Sequence, residues 1–343
     1  MKKRIYFSLI ALGLFACLGP QEEKADNTKS SHFEKVKIKD NTITNLYDAF
    51  GKNRDGLIKD FGFSALVKYK GKLILFDSGT DAAILKNNVE ALGIDLSMVD
   101  FAVGSHAHGD HINGFDYLLS INPDVRIYLP SDFFIGAPIH FNVAGKEKNI
   151  QDSLPTEMRY FDGEKLDFDL VQSGRFWNAN ITYVKENLTI EPGIQLIFTR
   201  SPFLGYCSKY PSATEMKAMS NDHEQTDNND IKYAGMPELS LSLNTSEGEV
   251  LLVGCSHSSV QNIVQETRRI SDKQIALLAG GFHMLPYGRE ELNQVARQLK
   301  NEFYVKQIAP THCTGHLAFK ILKDHYGPNY LFAGLGERLE FKK

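Results

Sequence analysis

The chain holds only four cysteines in 343 residues. Cys17 ends an apolar N-terminal run, which leaves Cys207, Cys255 and Cys313, and an odd three excludes a complete disulfide framework. One bridge between Cys255 and Cys313 stays open, since both stand beside histidines. The run Ile5 to Phe15 falls short of the roughly 20 residues that a bilayer-spanning helix needs. Positive charge is not in excess either: 38 Lys and Arg face 42 Asp and Glu, for a net charge of -4. Without a basic stripe, no nucleic acid is expected as a partner. Neither a G-x-S-x-G nucleophile turn nor a glycine-rich phosphate loop offers a rival chemistry.

What is present reads as an exported globular protein. Apolar residues make up 42% and charged residues 23%, an ordinary balance for a folded domain. Lys2, Lys3 and Arg4 precede the apolar run, so residues 1–17 are expected to be a signal peptide. Its end, Leu14-Phe15-Ala16-Cys17, resembles a bacterial lipobox, with Cys17 as the lipidation site; a non-lipidated export signal is the alternative. Residues 18–32 are polar and read as a flexible tether, which leaves 33–343 as the folded domain. The expected location is periplasmic or cell-surface, with the membrane reached through the lipid anchor.

The pattern along the domain is α/β. Ser64–Tyr69 and Lys72–Phe76 form a hairpin pattern about Lys70-Gly71, and Asp81 to Leu92 has helical spacing. Phe101 to Gly104 and Arg126 to Leu129 read as strands, with a helix begun by Ile112 to Leu119 between them. The rhythm returns later, with strands at 238–244, 249–253, 274–278 and 305–309 and helices at 258–269, 289–300 and 317–326. Between the halves, about 130–236 is too long for a connection and reads as an insertion rich in aromatics, most of them expected to fill its own small core. His223, in the polar stretch Ser220 to Asp230, reads as solvated.

The densest chemistry is Ser105-His106-Ala107-His108-Gly109-Asp110-His111, directly after an apolar strand. Three imidazoles and a carboxylate in so short a span suit a divalent metal, zinc first. Alternation puts His106 and His108 on one side, and Gly109 lets the chain bend so that Asp110 and His111 address a second ion. Upstream, Leu73 to Phe76 runs into Asp77-Ser78-Gly79. Downstream, three more segments place His after a strand: Gly254-Cys255-Ser256-His257, Gly280-Gly281-Phe282-His283 and Pro310-Thr311-His312-Cys313-Thr314-Gly315-His316. Carboxyl ends of strands gather on one edge in α/β layers, so these histidines favour one shared site.

H-x-H-x-D-H resembles the signature of the metallo-β-lactamase superfamily. G-C-S-H, G-G-F-H and P-T-H-C-T-G resemble, within it, the branch named for 7,8-dihydropterin-6-methyl-4-(β-D-ribofuranosyl)aminobenzene 5'-phosphate synthase. The resemblance implies a four-layer αβ/βα sandwich. It implies His106 and His108 as ligands of metal one, Asp110, His111 and His312 as ligands of metal two, and His257 as the remaining ligand of metal one. Asp77 is implied as a buried partner of a metal-bound imidazole. His283 and His316 become pocket residues able to act as acid, and Cys313 a neighbour of the site. The T-P-G-H turn and later G-D of lactamase and glyoxalase relatives are missing. Cys255 stands where their bridging Asp is expected, either as a thiolate ligand or as a small buried bystander, and one metal ion or two remain open.

The implied activity is hydrolysis of a small-molecule ester, lactone or phosphodiester by an activated water, with Asp110 orienting the water and His283 or His316 protonating the leaving group. The alternatives are the transferase chemistry of the branch name, which sits poorly with export, and a lipoprotein that binds metal or ligand without turnover.

Overall fold

The computed structural model describes residues 38–143, 150–164, 167–170, 176, 178–201 and 235–342. The expected signal peptide, Cys17 and the tether lie outside the described residues, as do Cys207 and His223. Among the described residues no helix is long and apolar enough to cross a membrane.

Fifteen strands are present among the described residues. The first half contributes β1 (Thr42–Tyr47), β2 (Ser64–Tyr69), β3 (Lys72–Phe76), β4 (Phe101–Val103), β5 (Arg126–Pro130), the ribbon β6 (Ile139–Asn142) and β7 (Asp167–Leu170), and β8 (Ile181–Val184). The second contributes β9 (Leu188–Glu191), β10 (Ile194–Arg200), β11 (Pro237–Thr245), β12 (Gly248–Val253), β13 (Ile275–Gly281), β14 (Gln307–Thr311) and β15 (Arg338–Glu340). They pair as a seven-stranded sheet, β15-β1-β2-β3-β4-β5-β8, and a six-stranded sheet, β14-β13-β12-β11-β10-β9. Lys70 and Gly71 turn the β2–β3 hairpin with positive φ at both positions, as a tight two-residue connection requires.

Alternation along the strands explains the layering. Val67, Ile74, Phe76 and Val103 of the first sheet pack with Leu239, Leu241, Leu252 and Leu277 of the second in one buried cluster, the seam between the sheets. The opposite face of the first sheet is covered by α1 (Ala82–Ala91) and α3 (Phe115–Ile121), through Leu85, Val89, Phe115 and Leu118. The opposite face of the second is covered by α4 (Val260–Ile270), α5 (Arg289–Arg297) and α6 (His316–Tyr326). Val260, Ile263, Val264 and Thr267 make the buried stripe of α4 at helical spacing. This is the αβ/βα sandwich.

Two expectations need revision. The single helix starting at Ile112 is two helices: α2 (Gly109–Ile112), labelled in chain order between α1 and α3, and then α3. Gly114 marks the break. A Cβ there would stand 1.9 Å from the carbonyl oxygen of Ser78, so this close approach admits only glycine. The second concerns the stretch 130–236, which is not wholly an insertion. It supplies β8 to the edge of the first sheet and β9 and β10 to the second.

Strands β3, β4 and β5 are parallel, and so are β12, β13 and β14. Their carboxyl ends meet at one edge, where Leu239 N–H donates to the Ser105 carbonyl across the two sheets at 2.8 Å.

Candidate metal centre

Six strand ends at this edge deliver polar side chains to the centre. β1 leads into Asp48, β3 into Asp77, β4 into His106 and His108, and α2 carries Asp110 and His111. β12 leads into Cys255 and His257, β13 into His283, and β14 into His312 and Cys313. Asp77, Ser256, Ser259, His283 and His312 all hold left-handed backbone despite having side chains. Each such residue costs on the order of 1 kcal/mol or more, and strain of this kind collects where geometry serves a site.

The donors fall into groups. His106, His108 and His257 converge, and so do Asp110, His111 and His312, with the donor atoms of each group within 4.8 Å of one another. In the first, His106 Nε2 and His108 Nδ1 are 3.0 Å apart. In the second, His111 Nε2 lies 3.2 Å from His312 Nε2 and 3.7 Å from Asp110 Oδ2, which lies 3.4 Å from His312 Nε2. Two ligands bound at 2.0–2.1 Å to a tetrahedral ion stand about 3.3 Å apart, so this triangle has the dimensions of one coordination face. The donor chemistry and the spacing therefore both fit a divalent metal. Cys255 Sγ is 3.1 Å from His111 Nε2 and also groups with His106, which places it between the two sets.

Asp77 fixes this arrangement. Its Oδ2 pairs with His111 Nδ1 at 2.6 Å and accepts from Ser105 Oγ at 2.8 Å, and its Oδ1 accepts from the Ser105 backbone N–H at 2.6 Å. Ser105 Oγ in turn meets His106 Nδ1 at 2.8 Å. One carboxylate thus keeps the protons of His111 and His106 on Nδ1, directly and through Ser105, and turns both Nε2 lone pairs inward. No side chain fits at Gly254, where a Cβ would stand 2.2 Å from Ser105 Oγ.

Two further buried acids lay beyond the sequence reading. Glu238 is fully buried; it accepts from the backbone N–H of His257 and Ser258 at 3.0 and 3.2 Å and from Ser258 Oγ at 2.9 Å. Asp48 Oδ2 accepts from the His312 backbone N–H at 3.2 Å and from Asn45 Nδ2 at 3.0 Å. The segments bearing His106 to His111, His257 and His312 therefore rest on Asp77, Glu238 and Asp48 respectively. The available signal was an acidic residue inside or just beyond an apolar strand, which periodicity alone reads as a strand edge.

Burial and the crowd of imidazoles push His106 and His257 well below the ordinary histidine range, which keeps them neutral, the form that binds a metal. Burial pulls His312 the same way, but Cys313 and Asp110 outweigh it and raise it to about 10. Burial opposes ionisation of Asp110, yet His111 and His312 hold it well below the usual carboxylate range. Burial lifts Asp48 to about 6, against the pull of His312.

The six sequence-assigned ligands thus lie together, with Asp77, Cys255, Cys313 and His283 against them; the His283 ring is 4.3 Å from that of His257. His316 stands apart: it is exposed, opens α6 and joins none of the donor groups.

The sandwich has the metallo-β-lactamase fold, and the family model of the metallo-beta-lactamase superfamily matches residues 57–183. The chain is similar to 7,8-dihydropterin-6-methyl-4-(beta-D-ribofuranosyl)-aminobenzene-5'-phosphate synthase of Methanocaldococcus jannaschii, 23% identical over 296 residues that cover 82% of this chain and 90% of the relative. An uncharacterized protein of the same organism is 24% identical over 282 residues, 80% of this chain and 91% of its own. The crystal structure of a metal-dependent hydrolase of the beta-lactamase superfamily superposes with a TM-score of 0.60 at 23% identity, covering 88% of this chain and 99% of that one.

Proposed function

We propose that the protein is a zinc-dependent hydrolase of esters, lactones or phosphodiesters. The observation that carries this reading is the pair of donor triads meeting at one edge: three histidines with donor atoms within 4.8 Å of one another, beside an Asp-His-His triangle with sides of 3.2 to 3.7 Å. Ions held there supply Lewis acidity and a water that is acidic near neutral pH. The chain's own residues do the rest. Asp77 holds the tautomers of His106 and His111, and Asp110, ionised across the working range, orients the attacking water. His283, packed on His257 and partly exposed, is better placed than the exposed His316 to hand a proton to a leaving group.

The test is a substrate panel of aryl esters, lactones and aryl phosphodiesters, run on protein stripped with a chelator and on protein reloaded with zinc. Turnover of at least one class should appear with zinc, vanish on stripping and return on reloading. Zinc-loaded protein inert toward every class rules the reading out. The synthase relative supports a second reading, displacement of pyrophosphate from a pterin by an aromatic amine, for which pyrophosphate release dependent on the amine is the signature.

Export with lipidation at Cys17 is proposed from the basic start, the apolar run and Leu14 to Cys17. Cys17→Ser should leave the protein unprocessed or release it from the membrane fraction. Equal membrane association of both forms rejects lipidation.

A further inference from the structure

A third set of donors stands beside the two triads. The Sγ atoms of Cys255 and Cys313 are 3.3 Å apart, both thiols are free and buried, and His283 brings its donor nitrogen within 4.8 Å of both. The three come from three neighbouring parallel strands. β12 ends at Val253, β13 at Gly281 and β14 at Thr311, and each donor is the second residue past its strand end. The spacing is repeated because the strands are in register, with Val253 opposite Gly280 and Gly281 opposite Thr311. Gly281 makes the close packing feasible, since a Cβ there would stand 2.4 Å from the Gly254 carbonyl oxygen and 3.0 Å from Cys313 Sγ. His283 reaches the sulfurs from left-handed backbone, a conformation that must be held by its surroundings.

From this geometry we propose that Cys255, His283 and Cys313 form a third metal position, selective for a soft, thiophilic ion and sharing Cys255 with the edge of the hydrolytic pair. It deepens the reading above, on which it rests for the neighbouring ions. Two sulfurs and one imidazole are the donors that zinc and copper(I) favour over magnesium or calcium, and three protein ligands leave a position open. Two sulfurs bound at 2.3 Å to a tetrahedral ion lie about 3.8 Å apart, half an ångström beyond the present separation, which a small turn of either side chain supplies. A disulfide would use only two of the three convergent donors; with an ion bound here His283 is a ligand, and the proton-donor role given to it above applies only while this position is empty.

The test uses the whole chain, stripped and then titrated with Co2+, with metal counted by elemental analysis. Thiolate-to-cobalt charge-transfer absorption is followed, and alkylation of each cysteine is mapped by mass. Wild type should take up about three ions per chain, and both Cys255 and Cys313 should be shielded from alkylation until a chelator is added. Cys313→Ser and His283→Ala should each fall to about two ions, and Cys313→Ser should weaken the charge-transfer band. Neither substitution touches the two triads, so loss of ions from His106→Ala or His111→Ala reports on the hydrolytic pair separately. The proposal is overturned if the variants keep the wild-type metal count, or if Cys313 is alkylated equally with and without metal. It also fails if the two thiols react only after reduction, which would mean a disulfide. The wild-type alkylation pattern decides the matter even where a variant fails to fold.

Discussion

His111→Ala should lower kcat/KM on any substrate the zinc-loaded protein turns over by more than 100-fold and should leave the second metal position empty. His111 is the side chain on which most of the centre converges. Its Nε2 faces His312 at 3.2 Å, Cys255 at 3.1 Å and Asp110 at 3.7 Å, while Nδ1 holds Asp77 at 2.6 Å. Outer partners of a metal-bound histidine are worth about 10- to 100-fold in affinity or activity, and removal of a ligand exceeds that range. The change also deprives fully buried Asp77 of a charge-assisted hydrogen bond, a stability loss of about 1–3 kcal/mol that thermal denaturation will register. Exposed His316 provides the contrast, since His316→Ala should leave the metal count unchanged. If His111→Ala retains activity within twofold of wild type, the chemistry lies elsewhere.

Asp77→Asn should weaken binding of both ions by about 10- to 100-fold. The carboxylate has only acceptors, and it uses both oxygens on three partners: His111 Nδ1, Ser105 Oγ and the Ser105 backbone N–H. Asparagine replaces one oxygen by an NH2 group. If that group faces His111, the histidine proton moves to Nε2, the atom that should carry a metal. If it faces the Ser105 backbone N–H, two donors confront each other. The backbone is not the cause of the loss, since Asp77 sits at φ 56° and asparagine tolerates the left-handed region. Competition with a chelator of known affinity measures the effect; equal affinities would reduce Asp77 to a turn residue.

Much of this centre was legible in the chain because its parts are local. H-x-H-x-D-H is contiguous, and the later histidines each follow an apolar strand, so strand-end geometry alone gathers them. Asp77 was legible through the family resemblance, since Asp-Ser-Gly by itself reads as an ordinary turn. Glu238 and Asp48 were not. Each supports a histidine loop remote in sequence, through backbone N–H groups that any residue would offer. The pairing of Cys255 with Cys313 depends on β12 and β14 both flanking β13, a register that no local pattern encodes. The break between α2 and α3 escaped periodicity because it comes from the contact of Gly114 with Ser78 in another loop. The strands within 130–236 escaped because the whole span reads as one insertion between the halves, although β10 alone runs seven residues.

The central claim is that six side chains from three strand-end segments hold the metal that drives the chemistry. Anomalous diffraction at the zinc edge, from crystals grown with zinc, addresses it directly. Peaks should lie among His106, His108 and His257 and among Asp110, His111 and His312, with ligand distances of about 2.0–2.2 Å. Zinc bound only at other positions, or these six side chains bare at saturating zinc, would contradict it.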